Sequence, residues 1–261
     1  MALAASNEGH DVYPAIEKAF RTEVCLPNGT WRTTYPHRLD DVNDWLLGYL
    51  PAGRCLQAMD VAVSSGISTL EWAEQLSANG IEHHLVAGDL LTDGRLVGWP
   101  GRVSVLLDDR GSPLLLEIGS IARPVQLDRW RARAVRSLLA PLLWAGRARG
   151  RRVSLLLPEL SSRPEIEVVQ DDITIPDRFQ SKFDVVRAAN LVQPSYFDEE
   201  TRRRVIANLR DRLCEGGVLL ICRTAEDGVN HATVFRRAGE RLLAEASING
   251  GAEVVDLALS I

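Results

Sequence analysis

Residues 56–72, Leu-Gln-Ala-Met-Asp-Val-Ala-Val-Ser-Ser-Gly-Ile-Ser-Thr-Leu-Glu-Trp, constrain the fold more than any other stretch of the chain. They read as strand, tight loop and helix. The run up to Val63 is apolar except for Gln57 and the carboxylate of Asp60, and small residues then alternate at Ala62, Ser64 and Gly66, letting the backbone turn sharply and a ligand come close. Ser68 and Glu71 have the spacing of a capping box, and Leu70, Ala73 and Leu76 share a helix face up to a stop at Asn79-Gly80.

Further strand patterns follow. Ile81 to Asp89 ends in an acid, Val153 to Leu157 runs into Pro158-Glu159, and Ile166 to Gln170 runs into Asp171-Asp172-Ile173. Phe183 to Leu191 is a strand ending in small and polar residues. A helix from about Phe197 to Cys214 opens on Asp198, Glu199 and Glu200 and closes on arginines before Gly216-Gly217, the charge order that suits a helix dipole. Val218 to Cys222 is the next strand, and the tail adds strands at 232–236, 241–247 and 254–259.

The acid followed by Ala62-x-Ser64-x-Gly66 resembles the Gly-x-Gly-x-Gly loop of class I S-adenosylmethionine (SAM) dependent methyltransferases, with two glycines replaced. The run from Phe183-Asp184-Val185-Val186 to Gly216-Gly217-Val218-Leu219-Leu220 is similar to that family as well. The resemblance implies a Rossmann-like α/β fold with a seven-stranded, mainly parallel sheet and SAM as cofactor. It places Asp60, Ser64 and Gly66 at the methionine and ribose ends, Asp89 on the ribose, and Asp172 with Ile173 on the adenine. Glu159 is the alternative ribose acid, if Val153 to Leu157 rather than Ile81 to Asp89 is the second strand. Asn190 falls where the family sets polar groups toward cofactor or acceptor, and Tyr196 follows in the next loop.

Residues 1–54 form a helical leader, with helices at 13–20 and 39–50, and in the family such a leader often covers the cofactor mouth. Trp31, Tyr35 and Arg38 therefore become candidates for contacting acceptor or methionine, with packing of the aromatics as the plain structural alternative. His231 is a further substrate-binding candidate, in a turn-rich segment. Residues 92–150 are an insertion, read as a hairpin (103–107 and 114–118) and an arginine-rich helix from about 127 to 148. The arginines suit either a solvated helix face or an acidic carrier protein as partner.

Composition narrows the function. A net charge of −5 gives no basic surface for nucleic acid, and no run reaches the roughly 18 apolar residues of a membrane span, which points to a cytoplasmic protein. The four cysteines have no metal-ligand spacing and read as reduced core thiols. The expected activity is methyl transfer from SAM to a small molecule or carrier-bound metabolite, without a metal. Because the sulfonium already supplies the leaving group, the protein chiefly aligns the reactants, with Tyr196, Asn190 and Tyr35 as the candidate catalytic side chains. The same fold also hosts enzymes that cyclise SAM to azetidine-2-carboxylate and methylthioadenosine or move its aminocarboxypropyl group. A SAM-binding interaction protein without catalysis is the third reading.

Overall fold

Short apolar runs become parallel strands when helices cover both faces of the sheet, and this chain supplies five such runs. The structure is a computed structural model and describes residues 24–25, 31–32, 34–99, 103–119, 121–124, 150–176 and 179–261. Its contacts define two units, an antiparallel unit of residues 1–35 and 91–156 and a mixed-sheet unit of residues 36–90 and 157–261. The expected helices at 13–20 and about 127–148 lie outside the described residues.

In chain order, β1 (Val24–Cys25) and β2 (Trp31–Arg32) form a short ribbon. Then come α1 (Asp40–Leu46), continued by a 3-10 turn at Leu47–Tyr49, β3 (Leu56–Val61), α2 (Ile67–Ala78) and β4 (His83–Asp89). The antiparallel unit contributes β5 (Asp93–Trp99), β6 (Val103–Leu107), β7 (Pro113–Ile118), β8 (Ile121–Pro124) and β9 (Arg151–Ser154). The chain ends with α3 (Pro158–Ser162), β10 (Ile166–Gln170), β11 (Phe183–Ala189), α4 (Glu199–Arg212), β12 (Leu213–Thr224), β13 (Asn230–Ala238), β14 (Arg241–Ile248) and α5 (Val255–Leu259). No described helix is long and apolar enough to cross a membrane.

The mixed-sheet unit carries seven strands in the order β10-β4-β3-β11-β12-β13-β14. The first five are parallel; β13 runs antiparallel to β12, and β14 antiparallel to β13, so that β13 alone runs against the rest. This is the seven-stranded, mainly parallel sheet that the resemblance implies, with hairpin strands at the edge where a helix is more usual. One face packs Met59, Val61, Val86, Val186 and Leu219 with Val205, Ile206 and Leu209 of α4. Each of those buried α4 side chains contributes about 2 kcal/mol. Asp198 caps α4 by accepting the Thr201 N–H over 2.8 Å.

Three local expectations are corrected. Helix α2 begins at Ile67 behind Gly66, which has φ 85° and makes no side-chain cap, so Ser68 lies inside the first turn and the Ser68–Glu71 capping box does not form. Residues 255–259 form a helix, not a strand, because Val254 and Ala258 bury on one side at helical spacing. Strand β9 pairs antiparallel with β5 in a five-stranded sheet of order β8-β7-β6-β5-β9, so the insertion is more than a hairpin and a helix. That pairing also removes β9 as the second parallel strand; Glu159 lies exposed in α3, while β4, ending in Asp89, pairs directly with β3.

Candidate functional site

The strand order reverses between β3 and β11, since the chain builds outward from β3 through β4 to β10 and then restarts on the other side with β11 and β12. In open α/β sheets, ligands bind outside the carboxyl ends of the strands at such a switch point. Two connections meet there: residues 62–66 after β3 and the segment from Asn190 after β11.

Backbone strain concentrates on both of them. Ala62 has φ 57°, Ser64 φ 59° and Gly66 φ 85°, so all three small positions are left-handed although only one is glycine. Asn190 is left-handed too, at φ 55°. For Ala and Ser this conformation costs about 1–2 kcal/mol each, and it persists only where surrounding contacts over-determine it. Those contacts are explicit. The Val63 N–H donates to Gly88 O over 3.2 Å, the Gly66 N–H to Val63 O over 2.8 Å, and the Leu157 N–H to Ser65 O over 2.9 Å.

Asp89, at the carboxyl end of β4, is buried and accepts the Ser64 N–H on Oδ2 over 2.8 Å. Its carboxylate thus sits directly against the loop. The Ser64 hydroxyl is buried beside it and finds no hydrogen-bond partner among the described residues. A buried, unpaired hydroxyl at a switch point is a group that lacks a partner. Gly66 is pressed by Leu160 of α3, whose Cδ1 would lie 1.8 Å from an added Cβ.

Asp60 is placed differently from the expectation. Its carboxylate accepts Arg187 Nε on Oδ1 over 3.0 Å, and Arg187 Nη2 and Thr69 Oγ1 on Oδ2 over 2.6 and 2.7 Å. Arg187 is fully buried, gives Nη1 to Asn43 Oδ1 over 2.6 Å and Nη2 to Ser68 O over 2.9 Å, and lies 4.4 Å from the centre of the Trp72 ring. Asn190 also spends its amide inside the fold. Its Oδ1 accepts the Thr224 N–H over 2.7 Å, its Nδ2 donates to Thr224 Oγ1 over 3.1 Å, and Thr224 passes the chain to Asn230. Asn230 in turn holds Arg38 O and Asp41 Oδ1 over 2.7 Å each, which is where the structure places Arg38.

At the end of β10, Asp172 closes a local turn by accepting the Thr174 N–H and hydroxyl on Oδ1 over 3.0 and 2.6 Å. Ile173 is committed to the core beneath α4 and its carbonyl accepts Asn208 Nδ2, so its side chain is not at a surface where it would cover a base. Tyr196 is half-buried in the loop after β11, and His231 lies in β13 opposite Arg223. Trp31 falls in β2, and Tyr35 is 51 % exposed; both belong to the antiparallel unit.

A cleft of about 250 Å3, counted with its open mouth, lies at the ends of β11 and β12 and is lined by Asn190, Gln193, Cys222, Arg223 and Glu253 among others. Arg223 and Glu253 form a half-exposed ion pair there. Burial pushes the Cys222 thiol up to about 12, so it stays protonated at neutral pH and is no nucleophile.

Sequence reasoning missed Arg187, Thr69 and Asn43. The signal was present: Asp60 is the single charge of β3, Arg187 stands among the apolar and small residues of β11, and buried charges must be paired.

No protein-family model matches the chain, and no curated protein matches it. Among solved structures it is similar to the CMeT domain of the citrinin polyketide synthase, with a TM-score of 0.39 and 13 % identity over 72 % of this chain and 35 % of that one. It is also similar to SAM-bound CalS10, an amino pentose methyltransferase from Micromonospora echinaspora, with a TM-score of 0.38 and 14 % identity over 79 % of this chain and 66 % of that one. A third is phosphoethanolamine N-methyltransferase 2 of Haemonchus contortus in complex with SAM, with a TM-score of 0.35 and 14 % identity over 70 % of this chain and 28 % of that one. The chain spans about a third of the length of the first of these and less of the third. The likeness is loose and of the fold alone: an α/β protein with a seven-stranded mixed sheet and an additional antiparallel sheet.

Proposed function

We propose that the chain binds SAM at the switch point and transfers its methyl group to a small acceptor. The observation that carries this reading is the pair of left-handed non-glycine residues, Ala62 and Ser64, held against the carboxylate of Asp89 at the carboxyl edge. Strain of this kind is kept where it serves a ligand. The residues fit the ribose side of the cofactor: Asp89 offers a carboxylate to the sugar hydroxyls, and the buried Ser64 hydroxyl lacks a partner that a ligand would give it.

The cofactor, when bound, supplies a sulfonium and therefore its own leaving group. What remains for the chain is to hold, orient and exclude water. Asp89 and the 62–66 loop do the holding, and Tyr196, in the loop after β11, is the side chain proposed to orient an acceptor.

A second reading, binding without turnover, is favoured by Asp60 and Asn190 having their side-chain hydrogen bonds inside the fold. Calorimetry with S-adenosylhomocysteine tests the shared premise: the wild type should bind, and Asp89→Ala should weaken binding about tenfold or more, the loss of a charge-assisted contact. Unchanged affinity in that variant would take the ribose role away from Asp89. Incubation with SAM and a panel of small acceptors, read by mass spectrometry, separates the readings. Adenosylhomocysteine appears only with an acceptor if methyl transfer is right, methylthioadenosine appears from SAM alone if the cofactor itself is cleaved, and a pure binder gives neither.

A further inference from the structure

The loop between β3 and α2 has two non-glycine residues in a conformation they disfavour, and one buried side chain reaches both of its flanks. Arg187 Nε and Nη2 grip Asp60, two residues before Ala62, while the same Nη2 grips Ser68 O, two residues after Gly66. Thr69 Oγ1 closes the far side by donating to Asp60 Oδ2 over 2.7 Å. Nη1 anchors the fork to Asn43 of α1, and the Trp72 ring covers it at 4.4 Å. The guanidinium is rigid and planar, so its bonds fix the separation of the two flanks as well as their presence.

The geometry points to Arg187 as the positioning residue of the cofactor loop: a buried clamp that holds the ends of residues 62–66 at the spacing in which Ala62 and Ser64 stay left-handed and the Ser64 N–H meets Asp89. It touches no ligand and acts only through the loop. Glycines adopt positive φ without a Cβ penalty, so a loop with glycine at these positions needs less restraint; here the restraint comes from β11. Gly88 O, Asp89 and the Leu157 N–H hold the middle of the loop, and Arg187 holds its ends. The role rests on the loop being the SAM site, as proposed above.

Arg187→Lys keeps the charge and loses the fork. Amide hydrogen exchange of the full chain tests the clamp without any ligand. The Ser64 and Gly66 amides, which donate to Asp89 and Val63 O, should exchange about tenfold faster in Arg187→Lys than in the wild type, while amides of β4 and the middle of α2 change little. Adding Ala62→Gly to Arg187→Lys should return most of that protection, because glycine accepts the left-handed backbone unaided. A general structural role would instead speed exchange throughout the unit and would not respond to the glycine. If Arg187→Lys does not fold, Thr69→Val removes one tie only and should speed loop exchange selectively by a smaller factor. Loop exchange within twofold of the wild type in a folded variant, or no rescue by Ala62→Gly, overturns the clamp. Calorimetry with adenosylhomocysteine completes the comparison: about tenfold weaker binding in Arg187→Lys, recovered with Ala62→Gly, is expected. A wild type that does not bind, with selective loop exchange still seen, defeats the cofactor reading and leaves the clamp standing.

Discussion

Arg187 with Asp60 and Arg212 with Asp171 are the same chemical unit set on opposite faces of one sheet. Both arginines are buried, at 0 and 1 % exposure, and both grip a buried carboxylate with two nitrogens. Their surroundings differ. Arg212 reaches from the end of α4 to the end of β10, with Met59 Sδ and the Phe179 ring as its further neighbours, so it joins a helix to an edge strand within the core. Arg187 adds Asn43, Ser68 O and, through Asp60, Thr69, so it joins two helices to the loop at the switch point. A buried ion pair is weak evidence for net stability, but removing one partner is costly. What distinguishes the two pairs is what they position.

The distinction has measurable consequences. Arg187→Met and Arg212→Met should each lower the unfolding free energy in urea by about 3–5 kcal/mol, because each leaves a carboxylate buried without its partner. Measured on the folded fraction, only Arg187→Met should also weaken adenosylhomocysteine binding. Equal weakening in both would erase the difference between the faces.

Gly66→Ala comes next. At φ 85°, with Leu160 Cδ1 1.8 Å from the new Cβ, it should cost about 2–3 kcal/mol by overpacking and backbone strain. A thermal melt unchanged by this substitution would show that Leu160 does not pack on the loop.

The smallest effect concerns a third pair, at the amino edge of the sheet. Burial works to raise the pKa of Asp184, but the Arg54 guanidinium, the Gln57 N–H and the Cys214 thiol outweigh it and hold the carboxyl below its usual range. A depressed folded pKa stabilises the protein above the ordinary carboxylate value and loses that contribution as pH falls through the folded value. Urea titrations between about pH 5 and pH 2 should therefore show a steeper acid loss in the wild type than in Asp184→Asn. Parallel profiles would remove Asp184 from the acid response.

Much of this was legible in the linear pattern. The β3-loop-α2 unit, the acid closing β4, the acidic start and basic end of α4 and the run from Phe183 into Gly217 are local signals, and local signals specify strands, turns and helix ends. The Asn79-Gly80 stop also holds, since the Gly80 and Ile81 amides return to Ser77 O and Leu76 O. Other features were not legible because they depend on pairing across the sheet. Residues 151–154 look like any parallel strand until β5 takes them antiparallel, and the tail at 254–259 is too short for its period to decide between strand and helix.

Sequence by itself determined the β3-loop-α2 unit, its small residues and the acids that close the neighbouring strands, since each rests on neighbours along the chain. Tertiary structure alone decided which charges are spent inside the fold. Asp60 and Arg187 stand 127 residues apart, and they meet because β3 and β11 lie side by side at matching register. A carboxylate read in isolation can belong to a ligand or to a partner, and in a buried sheet the nearer opposite charge takes it.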